Sequence, residues 1–178
     1  MCSSDLTGLQ GQQPRLVVYA SEHAHASIEK AVRLAGLGKQ WLRLIPTDAE
    51  FALRPDALAA AIAQDRAAGH HPCAIVATTG TTATTAMDPV AECAALAQQH
   101  GLWLHVDAAM AGSAMILPEC RHLWRGIEHA DSLVLNPHKW LGVGFDFSAY
   151  YCRDAQHLIR VMGTNPSYLR TARDAEVK

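Results

Sequence analysis

Runs of apolar and β-branched residues alternate with helix-like segments along most of this chain. The runs predict six strands, at residues 16–20, 41–45, 74–78, 102–106, 132–135 and 147–152. The segments between them predict helices at residues 24–34, 55–68, 89–100 and 119–128. Because a helix between two strands normally returns the chain for a parallel pairing, this order predicts an α/β fold with a mostly parallel sheet flanked by helices.

The predicted helix boundaries carry local signals. Pro55 and Pro89 each suit the first position of a helix, where the missing N–H is not needed. Asp88 directly precedes Pro89, and its side-chain oxygen predicts an N-cap. Glycines follow several helical segments, as expected for helix ends. No linker interrupts the pattern, so one domain is expected.

The composition excludes several classes of partner. The chain has 178 residues, of which 49% are hydrophobic, and this suits one domain with a buried core. The formal net charge of -2 creates no field that would attract nucleic acid or an acidic membrane surface. No apolar run approaches the roughly 20 residues that a membrane span requires. The five cysteines form no Cys-x-x-Cys pair, so reduced thiols in a cytoplasmic protein are expected.

Polar side chains follow the predicted strands at one end of the sheet. His25 follows the first strand, Thr81 and Thr82 follow the third, Asp107 ends the fourth, and Lys139 follows the fifth. In open parallel sheets, ligands bind at the carboxyl ends of the strands. The sequence therefore predicts that these side chains from separate segments share one site.

Lys139 and Asp107 are the pair with the most specific chemistry. Lys139 lies shortly after the apolar strand at residues 132–135, where a buried lysine would lose its charge and become a nucleophile. Asp107 ends another apolar strand, and a buried carboxylate there needs a cationic partner such as a protonated pyridine nitrogen. Together they suggest a pyridoxal phosphate (PLP) site. The plainer alternatives are a surface lysine and an aspartate that caps the next helix.

The remaining polar residues admit more than one interpretation. His25 either stacks on a cofactor ring or binds a metal with His23, and a plain helix-start histidine is a third possibility. No further ligand pattern accompanies the His-x-His spacing, so a metal site made of His23, His25 and His105 is the least favoured alternative and no metal is expected. The hydroxyl-rich turn at residues 78–82 and the Asn136 amide either bind phosphate or stabilise turns.

Six motifs follow one another in an order that resembles a known enzyme family. They are Ala-His at 24–25, Ile-Glu-Lys-Ala at 28–31, Val-Ala-Thr-Thr-Gly-Thr-Thr at 76–82, Leu-His-Val-Asp-Ala-Ala at 104–109, Ala-Gly-Ser-Ala at 111–114 and Asn-Pro-His-Lys-Trp at 136–140. This series resembles the PLP-dependent group II amino-acid decarboxylases. Trp140 with Phe145 and Asp146 favours the aromatic-L-amino-acid (DOPA, tyrosine, tryptophan) decarboxylase branch. The likeness extends from about Leu16 to about Leu169.

The resemblance implies a fold, an assembly and a reaction. The fold is the large domain of PLP-dependent transferase fold type I, which is aspartate-aminotransferase-like, here incomplete. The assembly is a homodimer. The reaction is loss of the α-carboxylate of an L-amino acid, with an aromatic one favoured, as carbon dioxide to leave an amine. An aromatic aldehyde synthase uses the same scaffold and is the enzyme alternative.

The resemblance also implies roles for individual residues. Lys139 would be the Schiff-base lysine, Asp107 the partner of the pyridinium nitrogen, and His25 the residue that stacks on the ring; these three form the catalytic set. The other implied cofactor contacts are Ala109, Thr82, Asn136 and His138. Met110 departs from the family pattern, which usually has tyrosine at that position.

The two ends of the chain carry separate expectations. Residues 1–14 are expected to be a disordered or non-native leader, and residues 15–178 to form the central part of the PLP-binding large domain. The family has an upstream phosphate-binding segment and a downstream catalytic loop, and this sequence contains neither. A fragment that binds PLP weakly and does not turn over by itself is therefore expected. The alternative from another class is a catalytically incompetent module for PLP binding or dimerisation.

Overall fold

The computed structural model describes residues 14–163, and a single six-stranded sheet runs through them. The strands are β1 (Leu16–Ser21), β2 (Leu42–Ile45), β3 (His71–Thr78), β4 (Trp103–Ala108), β5 (Ser132–Leu135) and β6 (Ala149–Cys152). Their order across the sheet is β2-β1-β3-β4-β5-β6. Strands β1 to β5 are parallel, and β6 is antiparallel to β5. The predicted mostly parallel α/β sheet is confirmed, whereas the expected leader lies outside the described residues apart from Pro14.

Within the described part of the chain, four α-helices accompany the sheet: α1 (Ser27–Leu34), α2 (Pro55–Ala67), α3 (Val90–His100) and α4 (Ala155–Met162). The first three match predicted helices, and α4 is not among the predicted ones. None of the helices within residues 14–163 has the length and apolarity needed to cross a membrane.

The helix predicted at residues 119–128 is wrong. The structure has short 3-10 turns there, at Pro118–Trp124 and Ile127–His129. Gly126 separates the two turns with a φ of 90°. Its backbone lies so close to Ala91 that an added Cβ would be 2.6 Å from the Ala91 Cα. A left-handed backbone angle is incompatible with the interior of an α-helix, so this tertiary approach overrides the local helical pattern.

The residues of β1 alternate between two apolar layers, as the period of a strand requires. Val17 and Tyr19 pack into the larger layer, which includes buried side chains of α2 and α3. Val18 and Ala20 face a smaller layer that includes Val32 of α1. A fully buried aliphatic side chain in such a layer contributes about 1.5–3 kcal/mol. Because helices cover both faces of this part of the sheet, the edge where the parallel strands end is the place left for a polar site.

The prediction that Asp88 caps α3 is wrong. The N-cap position of α3 is Pro89, and no side chain caps it. Asp88 turns inward instead, where its Oδ1 accepts from the Leu53 N–H and its Oδ2 from the Thr78 N–H, both at 2.8 Å. These two amides are buried, and leaving them unsatisfied would cost more than leaving a helix end to solvent.

The burial of Asp88 makes a testable contribution to the pH dependence of stability. Burial raises the pKa of this carboxyl to about 6, against the opposing effect of the two backbone N–H groups. The folded protein therefore holds the Asp88 proton more tightly than the unfolded chain does. This contribution is fully present below the unfolded pKa and is lost as the pH rises to about 6.

We expect the free energy of unfolding of the wild type, relative to that of Asp88→Asn, to fall by about 2–3 kcal/mol between pH 4 and pH 7. Urea unfolding of both proteins at several pH values in this range measures the difference. Groups other than Asp88 titrate in both proteins and cancel. Two curves that run parallel across the range would contradict the assignment.

Candidate active site

A cavity of about 340 Å³ opens at the edge of the sheet where β1 to β5 end. Segments from separate parts of the chain line it: the start of α1, the turn after β3, the end of β4 and the segments that flank β5 and β6. Six of the seven site residues predicted from the sequence are among its lining residues, namely His25, Thr82, Asp107, Ala109, Asn136 and Lys139. The seventh, His138, is not.

The floor of the cavity is one face of three neighbouring strands. His105 and Asp107 lie two residues apart on β4 and therefore point to the same face. Asp107 pairs in register with Val134 of β5, which also lines the cavity. Ser148, just before β6, completes the floor because β6 is antiparallel and begins at the edge where β5 ends.

Asp107 is the buried anion of the site, with 8% of its surface exposed. Its Oδ1 accepts from the Ala109 N–H at 3.1 Å. Among residues 14–163, no hydrogen-bond donor or cationic side chain satisfies Oδ2. The alternative that Asp107 caps a following helix has no support, because the next helical segment begins only at Gly112 and no side chain caps it. Asp107 thus offers a free carboxylate oxygen to a cationic N–H in the cavity.

Lys139 lies at the mouth of the cavity rather than inside it. The expectation of a buried lysine is wrong, because the side chain is exposed in the structure. Its backbone N–H donates to the Asn136 carbonyl at 2.9 Å, which closes a turn directly after β5. The residues that follow, 140 to 148, are themselves exposed and do not cover the amine. The turn therefore aims Lys139 at the cavity while solvent still reaches it.

His25 and Thr82 come from the loops after β1 and β3. The His25 Nδ1 accepts from the Ser27 N–H at 3.2 Å and lies 2.9 Å from the Ser27 hydroxyl. Since Nδ1 accepts, the proton of the neutral ring is on Nε2. Thr82 is exposed and lines the cavity, whereas Thr81 is buried within its own turn, where its hydroxyl accepts from the Ala86 N–H at 3.1 Å. Only Thr82 of this threonine pair reaches the cavity.

Asn136 and His138 have different surroundings despite their closeness in sequence. The Asn136 Oδ1 accepts from the Ser148 hydroxyl at 2.7 Å, which directs the amide at the cavity edge. The His138 Nδ1 instead lies 2.7 Å from the Phe147 carbonyl oxygen, and the ring packs edge-on against Phe145. His138 therefore holds the loop at residues 145–147, and its implied contact with a cofactor has no support in the cavity geometry.

His105 and Ser148 are cavity residues that sequence reasoning missed. His105 lies two residues before Asp107 on the same strand, and this spacing was enough to predict that both side chains share the cavity face. From the sequence, His105 was considered only as part of a metal site. Burial lowers the pKa of the His105 imidazole, and the nearby Asp107 carboxylate partly opposes this. No group of three or more His, Cys, Asp or Glu side chains within residues 14–163 is arranged to hold a metal, so the metal alternative has no support.

Gly80 brings the turn after β3 against the segment after β4. It has a φ of +84°, and an added Cβ would clash with the Ala111 Cβ. Gly69 provides a matched control, since its φ is +76° and its surroundings are open. We expect Gly69→Ala to cost about 1 kcal/mol of stability through backbone strain alone. Gly80→Ala should cost about 3 kcal/mol or more because a steric clash adds to the strain.

Urea unfolding of the two glycine variants measures this difference directly. A larger loss for Gly80→Ala is expected to accompany distortion of the cavity wall at Thr82, whereas Gly69→Ala leaves that wall unchanged. Equal losses in the two variants would show that Gly80 is needed only for its backbone angle.

The comparison with known protein families identifies this arrangement. Residues 8–178 match the model described as the pyridoxal-dependent decarboxylase conserved domain. This chain belongs to the pyridoxal-dependent decarboxylase family. The match includes every element of the structure and all of the cavity residues.

Individual members of the pyridoxal-dependent decarboxylase family are closely similar to the chain. The aromatic-L-amino-acid decarboxylase of Bos taurus is 48% identical over 156 residues, covering 88% of this chain and 31% of the bovine protein. The phenylacetaldehyde synthase of Petunia hybrida is 44% identical over 165 residues, covering 91% of this chain and 33% of that protein. The chain spans about a third of the length of these two relatives.

A solved structure confirms the fold of this family member. The crystal structure of Oryza sativa TDC with PLP and tryptamine superposes with a TM-score of 0.89 at 43% sequence identity, covering 93% of this chain and 34% of that protein. The predicted fold class, PLP-dependent fold type I and incomplete in this chain, is therefore confirmed.

Proposed function

We propose that this chain forms the cofactor-binding part of a PLP-dependent decarboxylase that acts on an aromatic L-amino acid. The observation that carries the proposal is the shared cavity, where Lys139 and the carboxylate of Asp107 face the same space. Support for the substrate class comes from relatives named aromatic-L-amino-acid decarboxylase and tryptophan decarboxylase. Further support comes from a similar solved structure that contains tryptamine.

The residues of the cavity fit PLP on chemical grounds. The unsatisfied Oδ2 of Asp107 matches a protonated pyridine nitrogen, and the Lys139 amine matches the cofactor aldehyde. His25 and Ala109 offer an aromatic ring and a small side chain as the two walls for a flat ring. The Thr82 hydroxyl and the Asn136 amide offer hydrogen bonds at the cavity edge, where phosphate oxygens could accept them.

Bound PLP supplies an electron-deficient ring that accepts the electron pair left when a carboxylate departs. The work of this chain is to hold and orient that ring. Asp107 would place its buried carboxylate beside the ring nitrogen, which would favour the protonated form of that nitrogen. Lys139 would be the residue that holds the cofactor at its aldehyde group, and its amine would carry a proton at Nζ. The Asp107 contact to the Ala109 N–H fixes the carboxylate, so it need not reorganise during the reaction.

The decisive experiment measures products from the protein expressed at its natural length. We expect carbon dioxide and the corresponding amine in equal amounts from L-tryptophan, L-tyrosine or L-DOPA, and no product from L-glutamate. The same assay separates the second candidate, an aromatic aldehyde synthase, which the 44% identical Petunia hybrida relative favours. Aldehyde, ammonia and hydrogen peroxide, formed with consumption of dioxygen in place of the amine, would establish that alternative. No turnover of any aromatic amino acid would overturn the proposal.

The catalytically incompetent alternative is tested with the isolated 178-residue chain. The cavity is open to solvent and its lysine is exposed, which supports weak PLP binding and no turnover by this chain alone. An absorbance titration with PLP measures the binding, and the product assay measures turnover. Measurable decarboxylation by the isolated chain would contradict this expectation.

We also propose a homodimer in the cytoplasm. Exposed apolar side chains, including Trp140, Leu141 and Phe145, follow the cavity lysine and favour burial against another polypeptide. Light scattering of the protein at natural length measures its oligomeric state, and a monomer would contradict this part of the proposal. The four cysteines of the described residues are free, which is typical of proteins in a reducing compartment.

A further inference from the structure

Three hydrogen-bonded side chains form a line along the same face of the sheet as the cavity floor, and the line ends next to Asp107. The Trp103 indole Nε1–H donates to the Ser132 hydroxyl oxygen at 2.9 Å. The same hydroxyl oxygen lies 2.8 Å from Nδ1 of His105. Trp103, His105 and Asp107 occupy alternate positions on β4, so all three point to one face of the sheet. We name Trp103, Ser132 and His105 the β4–β5 relay.

The donors and acceptors of the relay determine the protonation of His105. An indole N–H can only donate, so the Ser132 oxygen accepts from Trp103. The Ser132 hydroxyl proton then needs an acceptor, because Ser132 is buried. Among residues 14–163, the hydrogen bonds of the Ser132 side chain lead only to Trp103 and His105. Ser132 therefore donates to the His105 Nδ1, and the proton of the neutral ring is on Nε2.

The surroundings keep this ring neutral and oriented. Burial disfavours the charged imidazolium and lowers the pKa of His105. The Tyr150 ring lies nearly parallel to the imidazole, with the ring centroids 6.3 Å apart and an interplanar angle of 24°. With Nδ1 held by Ser132, Nε2–H is the polar group that His105 can present to the cavity, where Asp107 lies two residues further along the same face.

We propose that the β4–β5 relay presents a neutral His105, protonated on Nε2, to the cavity and thereby positions the carboxylate of Asp107. His105 is a positioning residue, because it acts on the cofactor only through Asp107. The Asp107 Oδ1 accepts from the Ala109 N–H, and the fixed His105 ring lies next to Asp107 on the same face of β4, where it limits the orientations open to the carboxylate. This inference rests on the proposed function, since Asp107 matters to catalysis only if it pairs with the cofactor ring.

Two substitutions at His105 separate positioning from packing. Phenylalanine keeps the ring and its stacking on Tyr150 but removes both nitrogens, whereas glutamine keeps an N–H near the position of Nε2. With the protein at natural length, we expect His105→Phe to raise the PLP dissociation constant about tenfold and His105→Gln to raise it less than about threefold. Ser132→Ala removes the hydroxyl that fixes the His105 proton on Nε2, and its PLP dissociation constant should lie between those of the two His105 variants. Fluorescence titration of the cofactor-free protein measures all of these values.

Thermal unfolding of the cofactor-free proteins and a double-mutant cycle complete the test. Since His105 acts through Asp107, the variant with both His105→Phe and Asp107→Asn should bind PLP no more weakly than Asp107→Asn alone. Equal losses of PLP affinity for His105→Phe and His105→Gln, together with equal losses in melting temperature, would show a packing role and overturn the relay. An unchanged PLP affinity of His105→Phe would also overturn the relay. In that case, normal capture of PLP by the wild type would leave the proposed function standing. A wild type that captures no PLP would overturn both.

Discussion

Lys139→Arg is expected to abolish covalent capture of PLP by this protein and to lower decarboxylation by roughly a thousandfold or more, as loss of a nucleophile does in other enzymes. Arginine keeps the positive charge at the cavity mouth, but its guanidinium stays protonated and cannot react with an aldehyde. Reduction with borohydride after incubation with PLP, followed by mass spectrometry of the peptides, locates the modified lysine. Lys139 is the lysine among the cavity-lining residues, so the modification should occur there.

Lys30→Arg is the matched control for this experiment. Lys30 is an exposed residue of α1 and does not line the cavity, although its neighbours Ile28 and Ala31 do. The control should retain both the modification at Lys139 and full activity. If Lys139→Arg still captured PLP in a form that borohydride reduces, another amine would be the attachment point and the proposed function of the cavity would be wrong.

Asp107→Asn is expected to weaken PLP binding about 10- to 100-fold and to lower decarboxylation more strongly than binding. The asparagine oxygen can still accept from the Ala109 N–H, so the local turn should persist. The neutral amide cannot hold a proton on the pyridine nitrogen, and a hydrogen bond to a charged group is worth about 1.5–3 kcal/mol. Titration of the cofactor-free protein with PLP and steady-state kinetics measure the two effects separately.

Asp131→Asn provides the same chemical change outside the cavity. The Asp131 Oδ2 accepts from the Leu104 N–H at 2.8 Å near the opposite end of β4 and does not line the cavity. We expect this control to lose about 1 kcal/mol of stability and to bind PLP as the wild type does. Similar losses of PLP affinity in the two variants would show that Asp107 acts through the fold rather than through the ring nitrogen.

The fold was largely predictable because each strand carries its own local signal. The apolar runs of β1 and of β3 to β5 are properties of short segments, and the structure places strands there. The helix predicted at residues 119–128 was wrong for a non-local reason. Gly126 approaches Ala91, which is 35 positions away, and no local pattern contains that contact.

The candidate site was predictable to the extent that strand ends determine it. His25, Thr82 and Asn136 lie within four residues of the ends of β1, β3 and β5, so knowing the parallel order was enough to bring them together. Exposure of Lys139 and the turning of His138 toward the loop at residues 145–147 were not predictable. Both depend on the path of the loop between β5 and β6, which the local sequence does not specify.

The sequence by itself determined which chemical groups stand at the ends of the strands and in what order those strands follow one another. Period and propensity are local properties, so they are sufficient to assign Asp107 and Lys139 to strand ends. Only the tertiary structure decided which groups touch: Asp88 satisfies two distant amides, and Ser132 links Trp103 to His105. Those contacts depend on strand register and on partners far apart in the chain, which hydrogen bonding in the folded core selects.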